Sequence, residues 1–126
     1  MLRTPQAITS LTPTQILNDT AATAFQPVVS WAGHTFTWGP FGGSDPFVIL
    51  IDGYSGTSGA YLGSILCLGP DNGAMNVPGA YLQAFPYDSL LAVGMYRYAI
   101  SSTVASDGRT IESVAQFGVL GNASFY

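Results

Sequence analysis

Two apolar runs in the middle of the chain predict buried strands. Residues 47–51 are apolar at every position, rich in β-branched side chains, and bounded by Pro46 and Gly53. A short continuous run of this kind between turn-forming residues is typical of a central strand that is covered on both faces. A second run, residues 61–68, ends at the turn-forming residues 69–73 and predicts another buried strand.

The last third of the chain predicts a β-hairpin. From residue 94 to residue 103, polar and apolar positions alternate with the period of an extended strand. The Asp107-Gly108 pair that follows favours a two-residue type I′ turn, because both central positions of that turn need positive φ. Residues 110–120 then return as the partner strand. The alternation places Tyr96, Tyr98 and Ile100 on one face and Arg97, Ser101 and Thr103 on the other.

Shorter segments complete an all-β pattern. Residues 34–38 alternate around Phe36, and residues 81–85 predict another short strand. About seven short strands with turn signals at a spacing of roughly 8–12 residues are typical of an antiparallel β-sandwich. The sequence therefore predicts an all-β sandwich domain over residues 28–126.

Residues 1–27 differ from the rest and predict an N-terminal arm. They are rich in Thr, Ala, Gln and Pro and show no period-two alternation. Thr12 to Gln15 fit a helix N-cap, a first-turn proline and a capping-box glutamine, so one short helix through Ile16 and Leu17 is one interpretation. An extended arm is the other, and a first strand preceded by a frayed terminus is an alternative to both.

Charged residues are unusually scarce. The chain has three cations (Arg3, Arg97 and Arg109) and seven acids, so only 8% of its residues are charged, against about 25% in a typical soluble domain. Three scattered arginines cannot neutralise enough phosphates for nucleic-acid binding. One cysteine and one histidine exclude an internal disulfide and a cysteine- or histidine-rich metal centre, and no cofactor is expected.

The chain also shows no feature of a membrane or secreted protein. Its longest apolar runs hold about five or six residues, far fewer than the roughly 18 that a membrane-spanning helix needs. The first ten residues contain no apolar core of a signal peptide. We therefore expect a protein that is made in the cytoplasm and has no membrane partner.

A poorly charged exterior predicts permanent contact with other subunits. Charged side chains normally keep a monomer from self-association, and a surface with few ions costs little to desolvate against another protein. A homo-oligomer is therefore expected, and a poorly charged monomer is the alternative. The predicted interface residues are Ile16, Leu17, Phe25, Trp31, Trp38, Phe41 and Tyr54.

The closing hairpin resembles a known group of domains. Residues 91–100, the turn at 106–110 and the strand ending at 117–120 are similar to the last hairpin of immunoglobulin-like domains in bacteriophage structural proteins, particularly baseplate upper proteins and related tail and capsid-decoration modules. Gly33-His34-Thr35-Phe36 is similar to a Gly-Asp-Thr-Phe element of that pattern, with His34 in place of the acid. The resemblance implies an immunoglobulin-like fold, in which Tyr96 would be a tyrosine-corner residue with its hydroxyl bound to nearby backbone.

The residues that could support catalysis do not form a recognisable pattern. His34 is the only candidate general base near neutral pH, with Ser55 or Ser58 as a nucleophile, but residues 53–57 lack the last glycine of the Gly-x-Ser-x-Gly motif. A hydrogen-bonded strand histidine is the favoured interpretation. Five of the six aspartates are expected to cap turns, with a calcium ion shared between subunits as a minor alternative. They are Asp45, Asp52, Asp71, Asp88 and Asp107.

These observations favour a non-enzymatic virion structural protein. The first hypothesis is a bacteriophage capsid decoration or cement subunit, whose partners would be other copies of itself and a major capsid protein. A tail, neck or baseplate component with a tail protein as its partner is the second. A carbohydrate-binding module is the alternative from another class, in which loop aromatics would stack on sugars. Its candidate aromatics are Trp31, Trp38, Phe41, Tyr54 and Tyr61.

Overall fold

The computed structural model describes Ile8, residues 11–12, residues 25–40 and residues 45–126. The described part of the chain is mostly β-structure with one short helix. The two long apolar runs form strands, as predicted, and the closing residues form a long hairpin. The prediction that residues 61–68 are a buried strand is wrong, because this strand lies at the edge of the larger sheet and its residues are exposed or only partly buried. In chain order the elements are β1 (Gln26–Val29), β2 (Gly33–Thr37), β3 (Pro46–Tyr54), β4 (Tyr61–Pro70), β5 (Ala74–Pro78), α1 (Gly79–Leu82), β6 (Leu90–Val104) and β7 (Thr110–Phe125).

Five of the strands form one mixed sheet in the order β1-β7-β6-β3-β4. The pairs β7–β6, β6–β3 and β3–β4 are antiparallel, as predicted. The pair β1–β7 is parallel, so the expectation of a wholly antiparallel fold is wrong at this edge. The chain ends beside β1, where the Tyr126 N–H donates to the Val29 carbonyl at 3.0 Å and the Trp31 N–H donates to the Tyr126 carbonyl at 3.1 Å.

The β6–β7 hairpin is confirmed, but its turn is longer than predicted. Val104 pairs with Thr110, and the Ala105 N–H donates to the Arg109 carbonyl at 2.8 Å. Gly108 has a φ of +86° and its N–H donates to the Ala105 carbonyl at 2.9 Å. A three-residue connection whose last residue is left-handed is a common hairpin loop, and it needs positive φ only at Gly108.

β2 and β5 form a separate two-stranded antiparallel sheet, in which Phe36 is opposite Met75. The strand predicted at residues 81–85 is wrong, because α1 and a turn occupy these positions. Leu82 and Phe85 are both buried. Their spacing of three residues places both on one side of a helical turn, whereas a strand would need a spacing of two.

One hydrophobic core contains residues of both sheets, of α1 and of the segment before β1. Phe47, Ile49 and Ile51 of β3 are fully buried in it. Ile8 and Leu11, from the predicted arm, are buried in the same core, and Thr12 forms a backbone bridge with Thr37. These described residues of the arm thus pack on the chain's own domain. Ile16 and Leu17 lie outside the described residues.

A buried ion pair joins the end of β4 to β6 within this core. The Arg97 guanidinium donates from Nε to Oδ2 of Asp71 at 2.6 Å, and both side chains are 2% exposed. The Trp38 indole N–H donates to the other carboxylate oxygen at 2.7 Å, and Arg97 Nη2 donates to the Gly39 carbonyl at 2.5 Å. The Trp38 ring stacks on Phe47, with ring centroids 3.8 Å apart.

Asp71→Ala should destabilise the fold strongly, because it leaves the Arg97 charge buried without its partner. We expect a loss of about 3–5 kcal/mol in the free energy of unfolding, measured by urea denaturation. The matched control is Asp107→Ala, which breaks the exposed ion pair with Arg109 and should leave the unfolding curve nearly unchanged. Equal effects of the two substitutions would contradict a structural role for the buried pair.

Candidate interaction surface

The five-stranded sheet has one face in the core and one face turned away from it. Along β3, buried and partly exposed residues alternate strictly, so Val48 and Leu50 lie on the side opposite Phe47, Ile49 and Ile51. We call the side away from the core the outer face. Its central rows, read across β4, β3, β6 and β7, are Leu66, Leu50, Gly94 and Leu120, followed by Leu68, Val48, Tyr96 and Gly118.

The outer face is apolar and well exposed. Leu66 and Leu68 of β4 are 68% and 70% exposed, and Leu120 and Val114 of β7 are 62% and 64% exposed. Among the outward residues of β3, β4, β6 and β7, only Asp52 and Glu112 are charged, and they lie on opposite sides of the apolar rows. Contiguous exposed apolar patches of this kind mark interaction surfaces. Of the predicted interface residues that the structure describes, only Tyr54 lies on this face.

The alternation of Tyr96, Tyr98 and Ile100 was the sequence signal for the outer face. The structure confirms that these side chains share one face and that Arg97 and Ser101 lie on the other. The face with the aromatic residues is the outer one, and Arg97 lies on the core side. Periodicity alone does not distinguish these two arrangements.

Tyr96 covers two glycines on the outer face and does not form a tyrosine corner. It lies in the middle of β6 opposite Gly118. A Cβ atom at Gly94 would lie 2.6 Å from the Tyr96 ring, and one at Gly118 would lie 2.5 Å from it. The ring therefore lies flat over two positions that only glycine can occupy without rearrangement. Within the described residues its hydroxyl has no hydrogen-bond partner, so the predicted corner is absent there.

Predictions for Tyr96 separate the ring from the hydroxyl. Tyr96→Phe should leave the thermal midpoint unchanged, because the hydroxyl has no partner to lose. Tyr96→Ala should lower the free energy of unfolding by about 1–3 kcal/mol, since it uncovers the backbone at Gly94 and Gly118. Thermal and urea denaturation of both variants measure the difference. Destabilisation by Tyr96→Phe equal to that by Tyr96→Ala would restore the corner interpretation.

One end of the outer face is polar. Tyr54 of β3 and Tyr61 of β4 are paired in register, with ring centroids 5.6 Å apart. The Tyr61 and Ser64 hydroxyls are hydrogen-bonded, and Ser64 donates to Oδ1 of Asp52. We call Tyr54, Tyr61, Asp52 and Ser64 the tyrosine–aspartate cluster. It combines exposed aromatic surface with a carboxylate whose second oxygen has no hydrogen-bond partner among the described residues.

The other predicted interface residues are dispersed. Phe25 is at the edge of the sheet and 36% exposed. Trp31 is partly buried, donates from Nε1 to the Phe85 carbonyl at 2.9 Å and packs edge-on against Tyr87. Trp38 is buried in the core, where it donates a hydrogen bond to Asp71 and stacks on Phe47. Its ring is therefore not available to a partner. Phe41 lies outside the described residues.

The structure gives His34 a backbone contact. Its Nδ1 accepts the Ser30 N–H at 3.1 Å, and burial lowers the pKa of the imidazole below its usual value. The Ser55 hydroxyl accepts the N–H groups of Thr57 and Ser58 within its own loop. In the parts of the chain that the structure describes, no hydrogen bond joins His34 to Ser55 or Ser58.

The acidic residues have different roles. Asp107 accepts the Arg109 N–H in the hairpin turn, as predicted, and the Arg109 side chain lowers the pKa of this carboxyl. Asp71 follows β4, but its carboxylate forms the buried ion pair with Arg97. Asp52 lies within β3 and not in a turn. Across the described ranges, no three His, Cys, Asp or Glu side chains come together as metal ligands would. Cys67 packs against the core, where burial raises the pKa of its thiol.

No known protein family, curated protein or solved structure matches this chain. α1 is the only helix in the described residues, and with four residues it is too short to cross a membrane.

Proposed function

We propose that this chain is a non-enzymatic structural subunit of a bacteriophage virion, most specifically a capsid decoration or cement protein. The observation that carries the proposal is the outer face, which is apolar across four strands and holds a charge only at either side of its central rows. The partners would be a major capsid protein and other copies of this chain.

The composition of the outer face favours a permanent contact over a transient one. Leu66, Leu68 and Leu120 are each more than 60% exposed in the single chain, and burial of such side chains stabilises a complex by about 25 cal/mol per Å² of apolar area. Few ions lose hydration when this face is covered, so the opposing desolvation term is small. A shell that contains many copies multiplies a modest gain per subunit.

The arrangement of the sheets supports an immunoglobulin-like sandwich as the finer fold assignment. A five-stranded and a two-stranded sheet contribute to one core, and the chain closes with the long β6–β7 hairpin on which the resemblance to phage domains rests. The parallel β1–β7 pair and the position of Tyr96 are departures from the expected pattern. The same resemblance extends to tail, neck and baseplate proteins, which are the alternative within the viral class.

Analysis of purified particles tests this proposal. In gradient-purified particles of the virus that encodes the chain, mass spectrometry should find many copies of it. Leu120→Asp should lower the copy number at least tenfold, because it places a charge in the middle of the outer face. The control is Tyr81→Asp on α1, at 61% exposure against 62% for Leu120, which should be incorporated normally. Absence of the chain from particles, or normal incorporation of Leu120→Asp, would overturn the proposal.

The tyrosine–aspartate cluster favours a second candidate function, the binding of a saccharide. Tyr61 is 59% exposed and packs beside Tyr54, which provides an aromatic surface for the apolar face of a sugar ring. The Ser64 hydroxyl donates to the Asp52 carboxylate and is itself hydrogen-bonded to the Tyr61 hydroxyl. A charged acceptor makes the stronger type of hydrogen bond to sugar hydroxyls. This is the carbohydrate-binding alternative with two of its five candidate aromatics, Tyr54 and Tyr61.

A glycan array of bacterial surface oligosaccharides tests the saccharide candidate with the full chain. Binding should fall at least tenfold in Tyr61→Ala and in Asp52→Asn, because each removes one of the two contacts described above. Tyr81→Ala removes an equally exposed tyrosine elsewhere and should bind as the wild type does. If no oligosaccharide binds, or if all three variants behave alike, the cluster is not a saccharide site.

A further inference from the structure

β4 is an edge strand with an open side. It is the last strand of the five-stranded sheet and pairs only with β3, from Tyr61 to Pro70. At residues 64–69, no hydrogen bond in the described part of the chain reaches the side of β4 that faces away from β3. A row of unpaired backbone N–H and C=O groups is a template for pairing with another strand.

The middle of β4 also lacks the features that normally protect such an edge. Natural edge strands carry charges, prolines or bulges that prevent pairing with another chain. Residues 64–69 contain no charge and no proline, since Pro70 lies at the end of β4 and the bulge lies at its start, between Tyr61 and Gly63. An uncharged run with the apolar residues 65–68 at its centre makes an edge that pairs readily.

We propose that β4 pairs antiparallel with β4 of a second copy of this chain, about a two-fold axis, so that the two five-stranded sheets become one continuous sheet. This proposal goes beyond the proposed function, because it concerns the pairing of the chain with itself and not its place in a particle.

The absence of charged residues on β4 suits a second copy of this chain as the pairing partner. About a two-fold axis each residue of the strand meets a residue of the same strand, so any charge near the axis would face its own copy. β4 has none from Tyr61 to Pro70. Because side chains alternate with a period of two residues, the outer faces of the two copies would lie on the same side of the continuous sheet. Leu66 and Leu68 of one copy would then lie against those of the other. Both are exposed in the single chain.

The core side of β4 fits the same arrangement. Ile65 and Cys67 are half-buried and pack against the core from its margin. A paired strand would cover their remaining exposed surface with the same two side chains of the second copy. Pairing would therefore satisfy the unpaired backbone groups at the edge of β4 and cover exposed side chains on both of its faces.

Sedimentation of the full chain tests the pairing. The wild type should sediment with twice the mass of one chain, independently of salt because the interface is uncharged. Leu66→Lys should sediment as a single chain, since two ammonium groups would meet near the axis. The matched control is Val114→Lys, on the same outer face with 64% exposure against 68% for Leu66 but on β7. It should remain a dimer.

Hydrogen exchange of the wild type provides a readout that needs no variant. Those amides of residues 64–69 that point away from β3 should exchange at least tenfold more slowly at a concentration where the chain is dimeric than at one where it is monomeric. Exchange in β7 should not change with concentration. Circular dichroism confirms that Leu66→Lys is folded, and Leu68→Lys serves in its place if it is not.

Three outcomes would overturn the pairing. They are a wild type that is monomeric at all concentrations, a dimer that is lost in both Leu66→Lys and Val114→Lys, and a dimer that is lost in neither of these two variants. The first would leave the proposed function intact, since a subunit that meets other copies of itself only within a shell is monomeric alone. Conversely, absence of the chain from particles would refute the proposed function and leave a β4-paired dimer standing.

Discussion

The Arg97 guanidinium and the Asp71 carboxylate meet inside the core, where either charge alone would be strongly disfavoured. Arg97 comes from the middle of the five-stranded sheet, and Asp71 from the turn that leads out of β4 toward β5. Trp38, just past β2, donates to the same carboxylate. The contact thus fixes the two-stranded sheet against the larger one, and the shared core depends on it.

This buried pair also shapes the surface. One of only three cations and one of seven acids are withdrawn from the exterior of a chain that already has few charges. What remains charged on the larger sheet is at the margins of the outer face. The buried ion pair thus stabilises the core and removes two charges from the surface, and the outer face of the larger sheet is apolar in its centre. The interactions proposed for the molecule depend on that face.

The sequence was most informative where one rule acted alone. β3 and β4 follow from continuous apolar runs, and the β6–β7 hairpin follows from alternation with Gly108 in the turn. α1 was missed because Leu82 and Phe85 fit a strand as well as a helical turn in so short a segment. The parallel β1–β7 pair joins two segments that are far apart in the sequence, which no local pattern encodes. The sequence did not identify the outer face either, since alternation shows which residues share a face but not which face meets the core.

The outer face and the tyrosine–aspartate cluster occupy different parts of one sheet. Leu66, Leu50 and Leu120 lie in its central rows, and Tyr96 lies flat over Gly94 and Gly118 between them, so the middle of the sheet is smooth and suited to contact with a broad surface. Tyr54 and Tyr61 lie at the end of β3 and β4, beyond Asp52. A partner that covers the central rows need not cover that end. The proposed assembly into a shell and the proposed contact with a saccharide are therefore compatible on one subunit, because each would use side chains that the other leaves free.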